Sequence, residues 1–524
     1  MLPNLTRPKW QIALPVALLI ILLIPVLTWP QFNACNNEGP LRLSIVVDGD
    51  SMSRVSGQLM GEGASRYRAE GAKVALYAKT DLWYNSTQES IEGVKMEQSL
   101  GVDCSWQIDQ VHEGQMYAAF LVSDDYRQPN TIPKTSNIDL PPLAIDGTHV
   151  LAWALWSAAN PTGNPDPALL WPKNRRLAIA WLIRQITPNE TVPQPLTDRA
   201  GLIIGYALPQ TDEAYPYLFA RSWIFDDALA GIAFTANANF GEAQAILNAL
   251  KGQVQADGKL GFSYNTDNDW FHEYYRSGAI AWVGYALVFY QQKTGDAQSQ
   301  AVAEQIAAYL LSLQNQTPDS PSYGAIQDDP AVSSFTTSQN IITYFFLRDL
   351  ARLTSNDLYQ TAADLIKTAL LEQYWDEKQG HFVVGSDDTA AGLIESNSLG
   401  ALFLEATGHP TKAQLSLDFV EQTYQPVLGP GPIDGYAPYA DRSTVWSQGS
   451  LQVALAHRRL GNITKSQAIL GEIIKLQDEE GGVAYARPKA TITGTDEVFQ
   501  EWASVAGTTW LAIVLADDEQ FLGP

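Results

Sequence analysis

Carboxyl side chains stand at or just before the starts of the long apolar stretches that fill the C-terminal two thirds of this chain. They are Asp226 and Asp227, Asp269 and Glu273, Asp328 and Asp329, Glu395, Asp434, and Glu497 and Glu501. Two carboxyl groups facing one substrate can share acid–base work: a protonated one delivers a proton, and an ionised one removes a proton from water or attacks carbon. Asp226 follows Ser222-Trp223-Ile224-Phe225 and opens a helical stretch. The positive end of the helix dipole favours a carboxylate there, and Trp223 offers a flat face beside it; Asp is equally one of the commonest helix caps. Glu395 precedes Ser396-Asn397-Ser398 at another helix start, as a reacting group or as an ordinary first-turn charge. The densest cluster is Asp269-Trp270-Phe271-His272-Glu273-Tyr274-Tyr275-Arg276. It combines the acids Asp269 and Glu273, with Glu273 the reserve acid, and the imidazole of His272. Trp270 and Tyr275 add aromatic faces, and Arg276 is a guanidinium suited to an anionic group. His272 reads either as a base or as a structural loop residue. Two other helix starts carry amides and no acid: Thr337-Ser338-Gln339-Asn340 and Trp446-Ser447-Gln448-Gly449.

The elements that must position these groups recur. Helix-period stretches begin near Asp226, Arg276, Thr337, Glu395, Trp446 and Trp502, at steps of 50, 61, 58, 51 and 56 residues. Partner helices are expected near 174–185, 241–255, 298–313, 357–373, 411–424 and 463–476. The linkers into the partners are short, such as Lys293-Thr294-Gly295-Asp296, whereas the returns run long, from Asp257 to Trp270, Pro318 to Phe335, Asp376 to Gly392, Gly429 to Ser443 and Asp478 to Gln500. Long loops gathered on one side of a repeat point to function. Six helical hairpins that close on themselves give an (α/α)6 toroid with an inner and an outer ring; an open solenoid of helical pairs is the alternative. The first-named helices, such as GAIAWVGYALVFY and SVAGTTWLAIVLA, are apolar all round, as an inner ring requires. On a closed ring of six, Glu395 stands three steps from Asp226 and faces it across the funnel.

The rest of the chain has other textures. Residues 41–150 alternate in the strand manner, as in LRLSIVVDG and MYAAFLVS, and read as a small β-sandwich. Its aromatics Trp83, Tyr84, Trp106 and Tyr117 either bind sugar faces or fill the core. A Pro-rich passage within 151–172 reads as a linker to the toroid over 173–524. In residues 1–40, Arg7 and Lys9 precede an apolar run from Trp10 to Pro30. Its length of about 20 residues spans roughly 30 Å of hydrocarbon. The exit, Gln31-Phe32-Asn33-Ala34-Cys35, is a poor cleavage site, so an uncleaved signal anchor is expected, with a removed signal peptide as the alternative. The expected class is thus mainly α: an (α/α)6 toroid preceded by a β-sandwich and an N-terminal transmembrane helix. The bulk of the chain would lie outside the cytoplasm, periplasmic or extracellular. Cys35 and Cys104 are the only cysteines, able to oxidise there but too few for a metal site. A formal charge of −24 argues against nucleic acid as a partner.

The segments SWIFDDALAGIAF, WVGYALVFY, VWSQGSLQVALAHRRLG and EWASVAGTTWLAIV resemble the six-hairpin glycosidase superfamily over roughly residues 170–520. AKVALYAKTDLWYNS and SWQIDQVHEGQMYAAFLVSDDY resemble immunoglobulin-like accessory domains of carbohydrate-active proteins. The first resemblance implies glycosidic hydrolysis of a polysaccharide or oligosaccharide, without cofactor or metal. Asp226 and Glu395 would form the acid/base pair, with roles unassigned. Sugar hydroxyls would be met by Trp223, Asp227, Asp269, Trp270, His272, Tyr275, Arg276, Gln339, Asn340, Asn397, Tyr436, Trp446, Gln448 and Trp502. Lyases and epimerases share the fold, with His272 as their base, and a groove that binds glycan without cutting it stays open as a further reading.

Overall fold

The computed structural model describes residues 35, 41–47, 54–61, 63–79, 83–84, 97–109, 111, 116–124, 150–157, 171–385, 392–425, 434–492 and 497–524. The inner helices are Ile224–Ala236, Ser277–Thr294, Thr337–Thr354, Glu395–Ala406, Ser447–Arg459 and Val505–Ala516. Each packs on the next, and the sixth packs back on the first, which closes the ring and rules out an open solenoid. The outer helices Phe240–Gln253, Ala297–Ser312, Asp357–Glu372, Pro410–Tyr424 and Ile463–Ile473 each follow and pack on an inner one. The first outer helix, Pro172–Gln185, instead packs on the last inner helix, so the two ends of the toroid are joined.

Burial explains the division of labour. From Ser277 to Tyr290 every residue of the second inner helix is buried, because neighbours surround it on all sides. The outer helix Asp357–Glu372 buries only Tyr359, Ala362, Ala363, Ile366, Ala369 and Leu370, a single stripe at helical spacing. The short turns use ordinary termination chemistry. Gly295 ends one inner helix at φ 79°, a left-handed conformation that costs glycine nothing, and the Asp296 carboxylate then accepts the Gln298 N–H of the outer helix.

The long loops meet the ring through one recurrent device. A buried backbone N–H at each loop base needs an acceptor, and a polar side chain in the first turn of an inner helix supplies it. Asp227 Oδ1 accepts from Ile203 N (2.8 Å), Asn340 Oδ1 from Ile326 N (2.7 Å), Asn397 Oδ1 from Phe382 N (2.9 Å), Ser450 Oγ from Tyr436 N (2.9 Å) and Thr508 Oγ1 from Val483 N (2.9 Å). The second inner helix has Ile280 at the corresponding place and lacks the bond.

N-terminal to the toroid, two antiparallel sheets share an apolar core that includes Leu43, Val55, Val74, Leu76, Trp106 and Tyr117. Trp106 and Tyr117 therefore fill the core. The last strand, Val150–Ser157, pairs with Met116–Val122 and runs past the expected boundary at 150 into the expected linker. Cys35 and Cys104 form a disulfide that ties residue 35 to the sandwich. No helix among the described residues is long and apolar enough to cross a membrane. The expected anchor lies outside the described residues.

Candidate active site

The return loops and the inner-helix starts enclose a cavity of about 260 Å³ at the mouth of the toroid. Asp226 and Glu395, from the first and fourth inner helices, both line it, together with Arg276 and Glu497. Aromatic rings make much of the rest of the wall, among them Tyr206, Trp223, Phe262, Trp446 and Tyr485. No histidine lines it among the described residues.

Asp226 is 6% exposed, and no described residue donates a hydrogen bond to its carboxyl. Burial, and then the charge of Asp227 beside it, hold it well above the usual carboxylate range, which favours its protonated form. The chain crosses next to it as Gly205: a Cβ there would lie 2.6 Å from Asp226 Oδ2 and 2.5 Å from the Trp223 ring. That crossing is fixed, since Gly205 N donates to Arg221 O (3.0 Å) and its carbonyl accepts from Val505 N (2.8 Å).

Glu395 is buried too, but it is held by donors. Burial raises its carboxyl above the ordinary glutamate value, and the Gln452 amide, the Arg276 guanidinium and the Gln448 amide offset part of that rise. Both amides, Gln448 Nε2 (2.5 Å) and Gln452 Nε2 (2.9 Å), donate to the same oxygen, Oε1. Oε2 accepts no hydrogen bond from a described residue. The amides of the fifth inner helix thus orient an acid on the fourth.

Tyr206 and Tyr485 line the same cavity. Burial pushes the Tyr485 phenol up, and Tyr206, Glu497 and Glu395 add to the rise. Two short ladders place both tyrosines. Tyr206–Ala207 and Val483–Ala484 both pair with Ala503–Ser504, and Val445–Trp446 pairs with Ala486–Arg487. Tyr206 meets Trp223 and Tyr485 edge to face at 5.3 and 5.8 Å.

Of the other residues singled out in the sequence, Trp223, Arg276, Gln339, Trp446 and Gln448 line the cavity. Gln339 spends its Oε1 on Gly278 N (2.9 Å), so it also holds the start of the second inner helix. Trp446 is 3% exposed, and its indole N–H has no partner among the described residues. Trp502 packs edge to face on Tyr206 and donates to Asp212 Oδ2 (2.9 Å). Asp227, Asn340 and Asn397 are the loop anchors described above, fully buried and off the cavity wall. The Asp227 oxygens are taken by Ile203 N and by Ser222 Oγ (2.5 Å). Tyr436 is likewise off the wall, with its hydroxyl donated to Glu421 (2.5 Å). The 269–276 cluster divides. Arg276 enters the cavity, while Asp269, Trp270, His272 and Glu273 are exposed outside it, and Glu273 accepts from Tyr275 Oη (3.3 Å). Tyr206, Phe262, Trp282, Tyr485 and Phe499 line the cavity without having been singled out in the sequence; Glu497 stood among the acid positions but was given no role. Tyr206, Tyr485 and Phe499 lie in or beside strands of two residues, too short to leave a periodic signal.

No protein-family model matches the sequence, and no curated protein aligns with it. Among solved structures, the chain is similar to a glycosidase variant in complex with glucose at 14% identity and a TM-score of 0.47, over 67% of this chain and 97% of that one. It is also similar to a cellobiose 2-epimerase from Bacillus thermoamylovorans at 13% identity and 0.47, over 66% and 99%. A family 76 glycoside hydrolase from a bovine Bacteroides thetaiotaomicron strain aligns at 10% identity and 0.47, over 91% and 98%.

Proposed function

We propose that the protein is a glycoside hydrolase acting on a polysaccharide or oligosaccharide, with Asp226 as general acid and Glu395 as general base. The supporting observation is the contrast between two carboxyl groups in one aromatic-lined cavity. Asp226 is buried, undonated and beside a second acid, which favours its protonated form. Glu395 is also raised by burial, but two amides on one oxygen and a guanidinium nearby lower it, contacts that Asp226 lacks among the described residues. Of the two it is therefore the one better suited to ionise, with its other oxygen free. In this reading Asp226 gives its proton to the glycosidic oxygen as the bond from that oxygen to the anomeric carbon breaks. Glu395 takes a proton from a water molecule whose oxygen bonds to the same carbon. Solvent then reprotonates Asp226 and deprotonates Glu395. Trp223, Trp446 and the two tyrosines supply ring faces and hydrogen-bond donors for sugar hydroxyls.

The lyase and epimerase readings that used His272 lose their base, because that side chain lies exposed outside the cavity. An extracytoplasmic location is part of the proposal. It is supported by the Cys35–Cys104 disulfide, which persists in oxidising compartments, and by the apolar run that follows Arg7 and Lys9. The test is reducing-end release by the full chain across a panel of neutral and acidic glycans. Release without unsaturated uronate products supports hydrolysis, unsaturated products would make it a lyase, and binding without release would make it a glycan-binding protein.

A further inference from the structure

A three-stranded sheet leads from the cavity wall to the outside of the toroid. Arg221–Trp223 pairs with Ser263–Asn265, which pairs with Phe271–His272. Directly opposed residues of antiparallel strands project to the same side. Trp223, Ser263 and His272 therefore form one row, and Arg221 and Asn265 belong to the next row on that side. Trp270 completes the second row, with its carbonyl accepting Asn265 N (2.9 Å). Ser222 and Tyr264 project to the opposite side and are buried.

Ser263 is buried within its row, and aromatic rings lead outward on this side beside it. Phe262, which lines the cavity, meets His272 edge to face at 6.0 Å, and His272 stacks on Trp270 at 6.2 Å. Trp270 is 45% exposed, with the Arg221 guanidinium 3.8 Å from its ring centre. From Trp223 to Trp270 the diagonal of the sheet is roughly 12 Å, from strand spacing and rise.

This exposed tryptophan is held in place before anything binds. The guanidinium of Arg199, 5% exposed, donates to the carbonyls of Asn265, Asn268, Asp269 (2.8 Å) and Trp270 (2.8 Å), so the 265–270 loop is wound around one buried cation. Trp270 N is tied to Asn268 Oδ1 at 3.0 Å. A rigid aromatic surface loses little entropy on binding.

We infer that a glycan chain seated in the cavity continues along this sheet and stacks on Trp270. The preferred substrate is then a polymer that extends past the cavity, not a free disaccharide. The inference rests on the glycan reading above. Arg199 acts as a positioning residue for the loop.

The test compares wild type with Trp270→Ala and Trp270→Phe in two assays on the full chain. One is kcat/KM on a size-fractionated ladder, from disaccharide upward, of whichever panel glycan wild type cuts. The other is retardation in native gels containing each soluble panel polysaccharide, which reads binding without turnover. A deficit for Trp270→Ala that grows with chain length to about threefold to tenfold is expected, with the gel retardation reduced and Trp270→Phe intermediate. A deficit equal at every length, or none, overturns the inference. Wild type that cuts nothing, yet is retarded in a gel where Trp270→Ala runs free, would sink the hydrolase reading and keep the track. A wild type that is neither retarded nor active on any glycan overturns both.

Discussion

Replacing Asp227 with Asn should change stability in opposite directions at low and high pH. Asp227 is fully buried, and burial pushes its carboxyl from the ordinary 3.8 up to about 7, against the lowering effect of the Ser222 hydroxyl and Ile203 N–H. Because the folded value lies above the unfolded one, the unfolded chain gives up its proton first, and stability falls as pH rises from about 4 to about 7. The gap of roughly three pH units, at about 1.4 kcal/mol each, is on the order of 4 kcal/mol. Asn has no proton to lose and keeps an acceptor for the Ile203 N–H, but weakens two hydrogen bonds at a cost of about 1 kcal/mol. The variant should therefore be about 1 kcal/mol less stable than wild type near pH 4 and about 3 kcal/mol more stable near pH 8. Urea unfolding followed by tryptophan fluorescence at both pH values measures the difference. An offset that is the same at both, or wild type gaining on the variant as pH rises, would refute the argument.

Three further outcomes follow from the geometry. Gln452→Ala removes a donor that lowers Glu395, so the acid limb of the kcat/KM profile should move to higher pH, which a pH–rate series would show. Gly205→Ala places a Cβ against Asp226 and Trp223. It should lower the unfolding midpoint by the equivalent of about 1–3 kcal/mol, with activity falling as well. Cys104→Ser opens a link spanning 69 residues, at a cost of roughly 4 kcal/mol to the sandwich. Thermal unfolding should then show an earlier transition that reducing agent reproduces in wild type.

Much of the ring could be read from the sequence because its signals are periodic. The expected inner starts near Asp226, Thr337 and Glu395 fall within about two residues of the observed helices, and short turns such as Gly295-Asp296 carry their own punctuation. The site was legible only where a side chain's direction follows from the helix. A polar residue in a first helical turn looks the same whether it points into the cavity, as Gln448 does, or back into a loop, as Asn340, Asn397 and Asp227 do. Tyr206 reaches the wall by pairing with Ser504, nearly 300 residues further along the chain, and Tyr485 follows Val483, which pairs with the same Ser504 from the other side. No local pattern encodes those pairings. All of the strand Val150–Ser157 but its first residue falls in the expected linker, because the Pro-rich passage that follows it carries the stronger local signal.

The acid and base assignment meets its most direct test in turnover and binding by Asp226→Asn and Glu395→Gln, measured beside wild type on the glycan that wild type releases fastest. The account predicts that each variant loses about 10²-fold to 10⁴-fold in kcat while still being retarded in gels of that glycan. Either variant keeping wild-type turnover would contradict the pair, and turnover lost together with all binding in both would assign these carboxyls to holding the glycan instead of cutting it.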